Sequence, residues 1–157
     1  MTDAKFEDGA EQPLRLMAAD VDDLKIISAL TQDAVFPGNE MSFQKSERRF
    51  ALLLNRFRWE DKTAAERRGR DFERVQAVLF IDDVVNVQTQ GVTRDADTVY
   101  SLMAMEFEAG EDGTGRLNLT LSGDGAIALD VEALNISLKD VTRPYVAPSK
   151  SAPDHAD

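Results

Sequence analysis

The sequence predicts an α+β domain in which one N-terminal helix packs on a strongly bent antiparallel sheet or partial barrel. Two observations carry this. One capped stretch near the start has apolar residues at helical spacing, and from residue 49 onward short β-rich segments follow one another with turn signals roughly every 8–12 residues.

The elements follow in order. Leu14 to Met17 alternate and suit a short strand. Asp20 is placed to cap a helix over about 20–32, with acidic residues in its first turn and Val21, Leu24, Ile27 and Leu30 recurring on one side. Pro37, Gly38 and Asn39 mark a turn between the Ala34–Phe36 stretch and a short strand about 40–45. From Arg49 a strand has Phe50, Leu52 and Leu54 on one face and Ala51, Leu53, Phe57 and Trp59 on the other, which predicts a central strand covered on both sides. Residues 60–71 are polar with no apolar face and read as an exposed loop. RVQAVLFI, VVNVQTQGV, TVYSLMAMEFE, RLNLTLS, AIALDV and ALNISLKDV are then strand candidates. A helix over Val131–Leu138 is the alternative for the last of these, but the alternation of Ile136 and Leu138 with Ser137 and Lys139 favours strand. Asp124-Gly125, within Ser122-Gly123-Asp124-Gly125, suits a hairpin turn that needs positive φ. The whole reads as one domain over 13–143 between mobile tails, 1–12 and 144–157.

Charge and residue usage narrow the chemistry. The chain of 157 residues has a formal net charge of −11, which weighs against nucleic acid because phosphate binding gains most from a basic face. No apolar run reaches the roughly 20 residues that span a bilayer, and the start lacks a basic n-region and an apolar h-region, so the compartment expected is the cytoplasm. Cysteine is absent and His155 is the one histidine, so no cofactor or metal site is expected, and no catalytic residue is assigned. Asp20-Val21-Asp22-Asp23 reads as helix capping and Asp82-Asp83 as a turn. GEDGTG, 110–115, fits neither phosphate-binding glycine pattern, and Ser122 stands outside a nucleophile-elbow frame.

The basic residues are unevenly spread. Residues 48–74 hold nine Lys or Arg against five Asp or Glu. Within them ERRFALLLNRFRWED sets Arg56 and Arg58 on one face of a strand, with Phe57 and Trp59 on the other, so rings and cations do not share a nucleic-acid stacking platform. An offset of 50 residues lays LLLNRFRWED on LMAMEFEAGED, with Leu52 on Leu102 and Phe57 on Phe107, and brings Asp33 onto Asp83. It also sets Arg56 and Arg58 against Glu106 and Glu108, which would pair across strands if the two strands were neighbours. Otherwise Arg49, Arg56, Arg58, Arg67, Arg68 and Arg70 are the candidate residues for a carboxylate or phosphate group.

Four segments, LRLMAADVDDLKIISALTQDAV, ERRFALLLNRFRWE, SLMAMEFEAG and GAIALDVEALNISLKDV, resemble in order and spacing a small bacterial family catalogued as domain of unknown function 2948. The resemblance covers about residues 14–146, and RFALLLNRFRWE is its most specific piece. It implies a single bacterial cytosolic domain and brings no activity, cofactor or catalytic residue with it.

The expected function is a non-catalytic binding or adaptor module whose arginine-rich surface takes a small anionic ligand or an acidic protein partner. The alternatives are an enzyme or small-molecule-binding protein using Arg and carboxylate groups in a sheet pocket, and a self-associating structural protein. The oligomeric state is left open by the sequence.

Overall fold

A computed structural model describes residues 13–61, 66 and 73–146. The α-helix α1 (Val21–Leu30) starts where expected. The Asp20 carboxylate accepts the Asp23 N–H at 2.8 Å, and the Thr31 hydroxyl closes the far end on the Ile27 carbonyl. Only Leu24 and Ile27 of the helix are buried, and the Ser28 hydroxyl accepts the Met105 N–H, tying the helix to the sheet.

The strands are β1 (Arg15–Ala18), β2 (Ala34–Pro37), β3 (Met41–Gln44), β4 (Arg49–Phe57), β5 (Glu73–Ile81), β6 (Val84–Gln90), β7 (Val99–Ala109), β8 (Gly115–Leu121), β9 (Ala126–Val131), β10 (Ile136–Asp140) and β11 (Tyr145–Val146). All pairings are antiparallel, in the order β1-β10-β5-β4-β2-β7-β8-β9-β6, with β11 beside β5 and β3 beside β4. The segment Val131–Leu138 is strand, turn and strand rather than helix. Consecutive positive φ values at Asp112-Gly113 and Gly123-Asp124 make the β7–β8 and β8–β9 hairpins.

The α+β class and the partial barrel are corrected by this topology. Of the described residues 55% are in strands and 13% are helical, and the eleven-stranded sheet does not close into a barrel. The physical reason lies in how little the helix can cover. Two buried side chains on ten residues cannot shield the inward face of eleven strands, so the sheet shields itself. Its first arm (β1, β10, β5, β4) and second arm (β7, β8, β9, β6) contribute Leu138, Leu79, Leu52, Leu102, Leu119 and Leu129 to one contiguous core, with β2 bridging them between β4 and β7.

At one corner β5 passes into β6 through Asp82-Asp83 while β9 passes into β10. The crossing is held by Asp82 N–H on the Asn135 carbonyl and Glu132 N–H on the Asp83 carbonyl. Here the 50-residue offset reappears in the backbone. Asp33 and Asp83 both adopt left-handed φ, 64° and 60°, and each precedes the fully buried first residue of a strand, Ala34 or Val84.

Candidate functional site

The inward face of β4 carries Phe50, Leu52, Leu54 and then Arg56, since alternate residues share a face. Arg56 is therefore a core position occupied by a guanidinium, with 0% exposure. Its five N–H donors all find acceptors. Nε and Nη2 reach the two Asp140 carboxylate oxygens at 2.9 and 2.8 Å, Nη1 and Nη2 reach the two Glu60 oxygens at 2.9 and 2.8 Å, and Nη1 also meets the Phe57 carbonyl at 3.4 Å. Asp140 in turn accepts the Leu14 N–H at 2.9 Å.

Such pairing is what lets a buried charge persist, because each bidentate contact repays desolvation with two charge-assisted bonds. Burial alone would lower the Arg56 pKa, but the hydrogen bonds and charges of Glu60 and Asp140 outweigh it and hold the group above its ordinary value. Glu60 shows the converse. Burial would raise its pKa, and the Arg56 contact overrides that and holds it below its ordinary value.

The other sequence-predicted arginines divide among several places. Arg58 is 8% exposed and donates to Glu73 at 2.6 Å. Arg49 grips Asp82 through Nε at 2.7 Å and lies 4.5 Å over the Phe80 ring. Arg48, in the turn before β4, pairs with Glu132. Arg67, Arg68 and Arg70 lie outside the described residues. The suggested pairing of Arg56 and Arg58 with Glu106 and Glu108 is corrected: β2 stands between β4 and β7, so the strands are not neighbours. Phe57 is buried, and Trp59 donates its indole N–H to the Gln32 carbonyl at 3.0 Å.

The outward face of the first arm is built by register. Arg15 pairs with Lys139, Lys139 with Val78 and Val78 with Leu53; in the next row Met17 pairs with Ser137, Ser137 with Phe80 and Phe80 with Ala51. Cross-strand partners point the same way, so two cations stand side by side at the edge of an apolar strip. Met17 is 72% exposed, while Leu53, Val78 and Phe80 are half-buried. Neither Arg15 nor Lys139 makes an ion pair among the described residues. No Asp or Glu occupies an outward strand position of β1, β10, β5, β4 or β3. Farther along, the Nη1 of Arg74 is buried without a hydrogen-bond partner.

Sequence reasoning missed Arg15 and Lys139, whose alternation with Leu16 and Leu138 was the available signal. Their juxtaposition depends on a pairing between distant segments that no local pattern encodes.

The outward face of the second arm differs. It carries Glu106 and Glu108, and Asp130 bound to Arg116 at 2.9 Å and to Asn86 at 3.2 Å. Between Gln88 and Gln90 of β6, Ala126 and Ala128 of β9, and Arg116 and Asn118 of β8 runs an open groove of about 610 Å³. Its floor is low because the middle strand presents alanines. Among the described residues no group of three or more metal-ligating side chains converges, and no helix is long and apolar enough to cross a membrane.

The chain belongs to the family described as protein of unknown function (DUF2948), whose profile matches residues 14–155. No curated protein and no solved structure matches it.

Proposed function

We propose that this member of the family is a non-catalytic binding module that takes an acidic, partly apolar segment of another protein on the outward face of its first arm. The observation that carries this reading is the Arg15–Lys139 pair. Two like charges directly opposite one another weaken a sheet, yet they sit together without carboxylate partners among the described residues, in a chain of net charge −11. A face that costs the fold something is explained by what it contacts. Beside the pair, Val78, Leu53, Phe80 and Met17 offer apolar area.

Scale favours a short acidic segment over a nucleic acid or an anionic membrane. Screening limits exposed charges to about 8 Å at physiological salt, so a short segment senses this local face, whereas an extended anionic surface also meets the acidic remainder. Arg49 belongs to the rim of the face, with Asp82 already attached. Arg56 and Arg58 serve as framework, because a ligand on Arg56 would have to displace a carboxylate.

The test is a titration of isotopically labelled protein with a peptide of alternating leucine and glutamate. The expected amide shifts concentrate at Arg15–Ala18, Val78–Phe80 and Ile136–Asp140, and vanish in Arg15→Glu/Lys139→Glu. Equal shifts with a leucine–lysine peptide, or shifts confined to the second arm, would overturn the reading.

A further inference from the structure

We infer that β6 is a self-pairing strand, through which two copies of this chain join their sheets antiparallel about a two-fold axis passing by Gln88. This goes beyond the reading of the first arm and rests on different residues.

β6 ends the strand order, and β9 is its single strand neighbour among the described residues. Alternate backbone N–H and C=O groups along it therefore face away from the sheet. Proteins blunt such edges with short strands, proline, charge or a cover. The opposite edge, β1, has four residues, one of them arginine, and the following helix packs against it. β6 has seven residues, VVNVQTQ, without a charge or a proline, and Val85 is 47% exposed. A bulge between Val84 and Asn86 disturbs one end and leaves Asn86–Gln90 regularly paired with β9.

Electrostatics selects the occupant. Two chains of net charge −11 repel, and they can approach closely only where the local surface is neutral. β6 is such a place, and on the neighbouring strand the Asp130 carboxylate is paired with Arg116 and accepts the Asn86 amide.

The register follows from what each end can offer. A two-fold through Gln88 sets Gln88 against its own copy, Asn86 against Gln90 and Val87 against Thr89, so amides meet amides on the outward side. A two-fold through Val87 would set Thr89 against Val85, at the bulge, and Gln90 against the buried Val84, whose N–H is already bonded to the Arg48 carbonyl. In the Gln88 register the two amide-lined grooves beside β6 become one continuous trough.

The experiment uses sedimentation of the full chain and of Gln88→Lys and Gln88→Glu, exposed substitutions whose folding is checked by circular dichroism. The wild type is expected to form a dimer. Each variant alone should dimerise about tenfold or more weakly, since like charges meet at the axis, and an equimolar mixture of the two should recover the dimer as a heterodimer. Because the chain has no cysteine, Gln88→Cys adds a second readout: it should oxidise to a disulfide-linked dimer, while Ser42→Cys on β3, beside the first arm, should not. A wild type that stays monomeric to millimolar concentration, or a dimer indifferent to charge at position 88, would overturn the proposal.

Discussion

The first arm carries arginine on both of its sides, and the two sides treat it in opposite ways. Inside, Arg56 spends every donor on Asp140, Glu60 and a carbonyl, while outside, Arg15 stands beside Lys139 with no carboxylate among the described residues. The difference separates charge that the fold requires from charge that it merely tolerates. A buried cation without partners would be excluded on energetic grounds, so its pairing reveals nothing about ligands. An exposed like-charge pair faces no such constraint, and its persistence is the more informative observation.

Removing each kind of charge should therefore move stability in opposite directions. The largest effect is expected at the core: Arg56→Ala leaves Asp140 buried without its partner and should cost about 3–5 kcal/mol in urea unfolding. If Arg56→Ala were neutral, the contrast between the two sides would collapse.

An intermediate effect is expected from Glu60 and depends on pH. Its folded pKa lies below its unfolded value, so its stabilisation is fully present above the unfolded pKa and is lost as pH falls through the folded one. The gap in stability between wild type and Glu60→Gln should be widest near neutrality and should close as pH drops below about 5. A gap that stays constant down to acid denaturation would mean that the carboxylate charge is not what Arg56 uses.

The smallest effect has the opposite sign and is the most discriminating. Lys139→Glu places a carboxylate directly across from Arg15 and should stabilise the fold by about 0.2–1 kcal/mol while abolishing binding of the acidic peptide. A variant that gains stability and keeps binding would remove the outward face from consideration.

How far the sequence foretold this molecule varies with the range of the interaction. The Asp20 cap, the hairpin turn within residues 122–125 and the strands on either side of residues 132–135 were legible, because each depends on neighbours within a few residues, although the positive φ values fall at Gly123-Asp124, one residue before the Asp-Gly pair. The balance of the class was not, since ten helical residues announce themselves locally, whereas the folding of a sheet upon itself is decided by which distant strands meet. The candidate site failed in the same way. The alternation that sets Phe50, Leu52 and Leu54 inward continues to Arg56, so its burial was implicit in the spacing; its partner Asp140, 84 residues away, was not.

That separation also has a consequence for biosynthesis. β10 enters the sheet between β1 and β5, so two strands made earlier must wait for residues 136–140 to leave the ribosome before they share a neighbour. The same five residues bring Asp140, half of the counter-charge to Arg56. A nascent chain stopped short of them holds an unfinished sheet around an under-neutralised cation. Its first arm should therefore stay open through most of translation and close in a late, concerted step, with loop-closure entropy setting the pace.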